Sequence, residues 1–155
     1  MDRGVRLGVD VGTVRIGVAA SDPDGLMAFP VATVARGDGD VEQVAAIARE
    51  RGAVRVFVGL PTKLSGAQGE SATFATSFAA SLSERCDGEV RLVDERFSTA
   101  TAQQAMRQAG RSARQQRQVI DQAAAVVILE SALDIERQGN LGKVTYEPRP
   151  EGNDD

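Results

Sequence analysis

The order of the predicted elements indicates an α/β fold, in which a five-stranded mixed sheet is flanked by helices on both faces. Residues 5–20 alternate between apolar and polar or small side chains, which is the period of two of a strand. Two nearly continuous apolar runs, residues 54–60 and 90–93, are typical of buried strands. Helical patterns follow both runs. An antiparallel opening of three strands followed by strand–helix crossovers therefore predicts a mixed sheet.

The antiparallel opening comes first in the chain. Residues 5–20 are interpreted as two strands hinged at Gly12-Thr13, and a third strand at residues 27–34 follows a turn rich in Asp, Pro and Gly. Asp40 can cap a helix that runs from Val41 to about Arg51, and Gly52 ends it.

Strands and helices alternate in the rest of the chain. The predicted order after the first helix is strand, helix, strand, helix, helix, at residues 54–60, 70–85, 90–93, about 99–109 and about 113–137. In the helix at 70–85, Phe74, Phe78 and Leu82 are spaced four apart, so we expect them in the core and not in a base-stacking surface. No repeat or linker divides the 155 residues. We expect one domain at residues 1–147 and a disordered, proline-rich tail at 148–155.

Composition excludes several kinds of chemistry. The chain has no histidine and one cysteine, Cys86, which excludes histidine-based catalysis, an internal disulfide and a multi-cysteine zinc site. The remaining metal ligands are carboxylates, which suit Mg²⁺ or Mn²⁺. Cys86 is expected to be a spare thiol near a helix end, although it could cross-link two chains. No apolar run is as long as a membrane span and no signal-peptide pattern is present, so a cytoplasmic location is expected.

Acidic residues in three segments are candidates for a metal site. Asp10 stands inside a strand, where aspartate is disfavoured, and neighbouring glycines clear space around it; the alternative is that it stabilises the following turn. Asp94 and Glu95 end a buried strand, where binding sites gather in such sheets, and alternation lets only one of them face Asp10. Asp121 is either a charge on the apolar stripe of a running helix or the N-cap of a new one.

These three segments predict a two-metal site for phosphoryl chemistry. One ion would lower the pKa of the attacking water and the other would stabilise the leaving oxygen. Arg107, Arg111 and Arg114 have the spacing of one helical face and could grip phosphates, with Lys63 as a weaker candidate; the alternative is a solvated surface.

Four motifs in order resemble the YqgF/RuvX family: VRLGVDVGTVRIGVAAS, VGLPTKLSGAQG, VDERFST and IDQAAAVVIL. The resemblance covers roughly residues 5–146. It implies an RNase H-like fold and an activity as a pre-16S rRNA nuclease or a Holliday junction resolvase. It also assigns Asp10, Glu95 and Asp121 as the catalytic, metal-binding carboxylates, with two Mg²⁺ or Mn²⁺ ions. In contrast to better-known resolvases of this fold, the fourth strand ends in Gly59-Leu60-Pro61 instead of an acid, and Glu95 would substitute.

The leading hypothesis is a metal-dependent endonuclease that acts on structured nucleic acid, with the 5′ end of pre-16S rRNA as substrate. A junction resolvase is the nearest alternative and would favour a homodimer over a monomer. The low aromatic content predicts recognition through backbone and shape instead of base stacking. Two further alternatives are a non-catalytic RNA-binding assembly factor and a phosphotransferase that binds ATP through DxGT. The phosphotransferase folds need two related domains, whereas this chain has length for one.

Overall fold

The computed structural model describes residues 2–61, 70–94, 113–139 and 145–148. The predicted helix at about 99–109 lies outside these ranges, as do residues 149–155 of the predicted tail. The described elements, in chain order, are β1 (Arg6–Val11), β2 (Arg15–Ser21), β3 (Ala28–Ala35), α1 (Asp40–Glu50), β4 (Arg55–Leu60), α2 (Glu70–Ser83), β5 (Glu89–Asp94), α3 (Ala113–Arg137) and β6 (Thr145–Tyr146).

One mixed sheet contains all six described strands, in the order β3-β2-β1-β4-β5-β6. The first three strands pair antiparallel, β1, β4 and β5 pair parallel, and β6 pairs antiparallel with β5. The five predicted strands and their directions are therefore confirmed, and with them the α/β fold class. β6 was not predicted, because two residues are too few to show a period of two.

The sheet has a separate hydrophobic core on each face. Helices α1 and α2 cover one face, where the buried side chains include Leu7, Val9 and Val58. Helix α3 covers the opposite face, where Phe57 and Val93 of the sheet pack against its buried residues, namely Ala125, Leu129, Ala132 and Leu133. None of the described helices is long and apolar enough to span a membrane.

The helices settle one open alternative and correct one prediction. Helix α3 is continuous from Ala113 to Arg137, so position 121 lies inside a running helix and is not an N-cap. In α2, Phe78 and Leu82 are buried as predicted, but Phe74 is 39% exposed. The prediction of a core role was therefore wrong for Phe74.

Candidate carboxylate site

Asp10 lies in a part of β1 whose neighbouring positions are glycines. Its partner on β2 is Gly17. On β4, Gly59 follows Val58, the partner of Val9. Along β1 itself, Asp10 shares its face with Gly8. Glycines therefore neighbour Asp10 both along and across the strands, and its carboxylate is half-buried.

Helix α3 covers the face of β1 to which Gly8 and Asp10 belong. A Cβ added at Gly8 would lie 2.5 Å from the carbonyl oxygen of Ala125 and 2.7 Å from Cβ of Leu129, both in α3. Real Cβ atoms essentially never approach other atoms so closely, so the helix can sit where it does only over glycine. Asp10 belongs to the same alternating set as Gly8, and its side chain therefore points to the α3 side of the sheet.

A hydrogen bond between α3 and β3 fixes the position of the helix along the strands. Nε2 of Gln122 donates to Oγ1 of Thr33 at 2.8 Å. Thr33 is the partner of Gly17, which in turn is the partner of Asp10. The part of α3 around residue 122 thus lies at the same level as Asp10, two strands away across the sheet.

A buried ion-pair cluster holds the other end of the same face. Arg6 is fully buried, and its guanidinium donates to Glu136 of α3 through Nη2 at 2.5 Å and Nε at 3.2 Å. Arg55 donates to the same carboxylate at 2.8 Å and to Glu89 at 2.8 Å. Burial alone would raise the pKa of Glu89, but hydrogen bonds from Arg55 and Arg91 outweigh it and lower that pKa. The cluster fastens α3 to the first residues of β1, β4 and β5.

Sequence reasoning missed this cluster. It treated Asp10 as sharing its face only with glycines, yet Arg6 is also on that face. The signal was present: Arg6 is a charged residue at a strand position whose neighbours, Val5 and Leu7, are apolar. Such a charge on a covered sheet face requires a buried partner. The neighbouring positions of α3 were predicted correctly, since Glu130 and Asp134 are exposed.

The pairing of β5 separates Asp94 from the Asp10 side. Asp94 is the partner of Leu60, and Leu60 belongs to the core under α1 and α2. Val93 belongs to the core under α3, on the side that Asp10 faces. By alternation, Asp94 therefore points away from the face of Asp10.

The remaining predicted site residues fall outside the described side chains. Glu95, Lys63, Arg107 and Arg111 lie outside the described residues. Asp121 and Arg114 lie in α3, but their side chains are not among those described. Within the described part of the chain, no three acidic or thiol side chains form a group that could hold a metal. The metal site therefore remains a prediction, with only Asp10 fully placed.

A cavity of about 240 Å³ lies at the opposite rim of the sheet. Arg49, Cys86 and Gly88 are among the residues that line it, and Gly88 contacts Val54 just before β4 begins. Burial raises the pKa of the Cys86 thiol, which makes it a poorer nucleophile. Because the cavity lies at the rim where β4 and β5 begin, it is separate from the carboxylate site.

Comparison of the sequence and the fold with known proteins finds nucleases. Residues 4–135 match the family model described as RuvX, Holliday junction resolvase. A protein of Mycobacteroides abscessus with the curated name "Putative pre-16S rRNA nuclease" is 54% identical over 140 residues, covering 88% of this chain and 84% of that protein. A protein of Thermobifida fusca with the same name is 50% identical over 149 residues, covering 91% and 94%. The solved structure of T. thermophilus RuvC in complex with a Holliday junction substrate superposes with a TM-score of 0.57 at 15% identity, covering 88% of this chain and 97% of that one. This likeness shows the RNase H-like fold.

Proposed function

The chain belongs to the RuvX Holliday junction resolvase family, and from this premise we propose that it is a metal-dependent endonuclease that hydrolyses phosphodiester bonds in structured nucleic acid. The observation that carries the proposal is the glycine-lined surface around Asp10 beneath α3. A strand aspartate with glycine neighbours leaves room for ions and phosphate oxygens, whereas a turn-stabilising aspartate would not need glycines around it. Family membership does not favour the non-catalytic RNA-binding and phosphotransferase alternatives.

Glu95 is the proposed second carboxylate of the site. Val93 faces the α3 side and Asp94 the opposite side. One further step of strand alternation directs position 95 back to the α3 side, which Asp10 also faces. The register of the described residues thus supports Glu95 over Asp94, in agreement with the DER motif of the family.

Asp121 is the proposed third carboxylate. It precedes Ala125 by four residues, and residues four apart share one face of a helix. Ala125 lies directly over Gly8, and one turn toward the start of α3 leads to the level of Asp10, where Gln122 contacts Thr33. These contacts support a position for Asp121 above the glycine-lined surface.

The chemistry of these donors fits hard divalent cations. Carboxylates without histidine or thiolate partners suit Mg²⁺ or Mn²⁺, and we propose that Asp10, Glu95 and Asp121 hold two such ions. When bound, the ions would supply an activated water and charge stabilisation at the phosphate. The protein's own contribution is to hold three like charges on a strand, a strand end and a helix that the rest of the fold keeps in place.

We propose pre-16S rRNA, cleaved at its 5′ end, as the substrate, because relatives at about 50% identity over most of the chain carry the name "Putative pre-16S rRNA nuclease". Arg107, Arg111, Arg114 and Lys63 are the proposed phosphate contacts. A four-way DNA junction, the substrate in the family description, is the second candidate. The enzyme would act in the cytoplasm, as a single domain of residues 1–147 and as a monomer or homodimer; junction cleavage would favour the homodimer.

Cleavage by site variants tests the proposal. The protein is incubated with a precursor rRNA fragment, a four-way junction or a linear duplex, each with Mg²⁺, Mn²⁺ or a chelator. We expect metal-dependent cleavage of a structured substrate, reduced at least about 100-fold in Asp10→Asn, Glu95→Gln and Asp121→Asn, because each variant removes a metal ligand. Asp94→Asn is the matched control and should keep most of the activity, since this carboxylate faces the other side of the sheet. Undiminished cleavage in the three site variants would refute the proposed site.

A further inference from the structure

The partly exposed ring of Phe74 lies next to a charged side chain at the rim of the sheet. Phe74 is 39% exposed, and Cζ of Arg36 lies 5.9 Å from the centroid of its ring. Val14, whose backbone oxygen accepts a hydrogen bond from the backbone N–H of Arg36, is 62% exposed. Part of the Phe74 ring is therefore available for a contact outside the hydrophobic core.

Arg36 connects this ring to the strand that carries Asp10. Its Nη1 donates to the carbonyl oxygen of Gly12 at 2.8 Å, and its Nε donates to Asp40 at 3.1 Å. Gly12 follows Asp10 by two residues, about 7 Å along an extended chain. Helix α2 comes after β4 in the chain, so it begins at the rim where the parallel strands β1, β4 and β5 end. Phe74 therefore lies near the rim at which β1 ends, on the face covered by α2 and opposite to the face to which the side chain of Asp10 points.

The pair offers two kinds of contact that nucleotides use. Bases stack on exposed aromatic rings and on guanidinium planes, and this contact tolerates any base. Arg36 keeps Nη2 without a hydrogen-bond partner among the described residues, and its side chain is 26% exposed. A phosphate oxygen could accept a hydrogen bond from this nitrogen. A duplex cannot use the ring in this way, because its bases are already stacked on each other.

We propose that Phe74 and Arg36 bind an unpaired nucleotide of the substrate, with its base on the ring and its phosphate at the guanidinium, within a few nucleotides of the scissile bond. This inference rests on the proposed nuclease function and deepens it. It names the substrate class as structured nucleic acid that carries a single-stranded extension next to the cleavage point. It also replaces the expectation, drawn from the low aromatic content, that no base is stacked.

The chain contains a matched control for this pair. Phe29 is also 39% exposed, and Cζ of Arg51 lies 6.0 Å from its ring centroid. Phe29 is the partner of Ala20, which is the partner of Leu7, so it lies toward the opposite rim of the sheet from Gly12. The two phenylalanines thus share exposure and a cationic neighbour and differ in position relative to Asp10.

Binding in the presence of a chelator tests the site independently of cleavage. Two RNA hairpins with the same stem are compared, one blunt and one with a three-nucleotide extension that carries the fluorescent base 2-aminopurine. We expect the native protein to bind the extended hairpin about 10-fold more tightly and to quench its fluorescence by stacking. Phe74→Ala should lose both effects without a change in affinity for the blunt hairpin. Phe74→Trp should keep them, and Phe29→Ala should behave as the native protein does.

Three results would overturn the proposal: an undiminished preference for the extension in Phe74→Ala, an equal loss in Phe29→Ala, or no preference in the native protein. The proposed function fails in a different way, through the absence of metal-dependent cleavage of any structured substrate. Because the hairpins are bound without metal, a protein that cleaves but shows no preference refutes only the nucleotide site. A protein that shows the preference but never cleaves refutes only the nuclease.

Discussion

Substitution of Gly8 by alanine tests whether α3 must approach β1 closely for the site to work. The added methyl group would lie 2.5 Å from the carbonyl oxygen of Ala125, whereas ordinary contact begins at 3.4 Å. Helix α3 must therefore retreat by about 0.9 Å at this point, one turn from Asp121. Metal–ligand distances tolerate only about 0.2 Å, and a misplacement of about 1 Å can reduce a reaction rate about 100-fold.

The same overpacking should destabilise the fold moderately. Extra methyl groups in a packed core cost about 1–3 kcal/mol, which for a chain of this size lowers the unfolding midpoint by about 2–12 °C. We therefore expect Gly8→Ala to fold at 25 °C, to unfold a few degrees earlier, and to lose about 100-fold in single-turnover cleavage at saturating Mg²⁺. Thermal unfolding and cleavage are measured on the same preparation.

A second variant separates displacement of the helix from simple loss of stability. Val56→Ala removes buried methyl groups under α1 and α2, on the face opposite α3, at a cost of about 2 kcal/mol. It should match the stability loss of Gly8→Ala and keep the cleavage rate within about twofold of the native value. If both variants lose activity equally, or if Gly8→Ala cleaves at the native rate, the argument from the close approach of α3 is refuted.

Three further predictions follow from the charged groups. Glu136→Gln removes the buried carboxylate partner of Arg6, leaving the exposed carboxylate of Asp2, and should cost about 3 kcal/mol, measured by urea unfolding. The lowered pKa of Glu89 means that its contribution to stability is complete above its ordinary value of 4.5 and is lost as the pH falls through the lower, folded-state value. Glu89→Gln should therefore flatten the acid limb of the unfolding midpoint against pH, and an unchanged limb would contradict this. Replacing Arg107, Arg111 and Arg114 by glutamine should reduce the slope of log binding constant against log salt by about 1 for each lost phosphate contact; an unchanged slope would mean a merely solvated surface.

The sheet could be predicted from the sequence because its strands follow a simple period. The alternation in residues 5–20 and the apolar runs at 54–60 and 90–93 each correspond to observed strands. Parallel order then followed from the helical segments between the later strands. The pattern could not reveal β6, whose two residues pair only because β5 offers a free edge.

Side-chain burial was less predictable, because it depends on which element covers each face. Phe74 has the same helical spacing as the buried Phe78, yet it lies in the second turn of α2, toward the open rim. Arg6 is at a polar position of the strand alternation, where exposure would be expected. It is fully buried because its guanidinium donates to Glu136, which lies 130 residues later in α3. Neither result follows from local periodicity, since both depend on contacts between distant parts of the chain.

The choice between Asp94 and Glu95 shows what a register adds to a motif. Alternation in the sequence allows only one of them to face Asp10, but it does not say which. The pairing of Asp94 with Leu60, and the burial of Val93 under α3, give each strand position a face. The register thus places Asp94 on the face opposite to Asp10, and Glu95 stays a prediction of the family motif.

Helix α3 is fastened at the end of the sheet face that lies away from the proposed site. The ion pairs of Arg6, Arg55 and Glu136 hold the helix at the end of this face where β1 and β4 begin. In the proposed site, carboxylates without bound metal would repel each other and would oppose folding. Asp10→Asn removes one of the repelling charges. In chelator it should therefore raise the unfolding midpoint slightly, while in Mg²⁺ it should abolish cleavage and most of the stabilisation that the ion gives the native protein. A native midpoint that does not respond to Mg²⁺, together with an Asp10→Asn midpoint that does not rise in chelator, would mean that Asp10 neither faces like charges nor binds an ion.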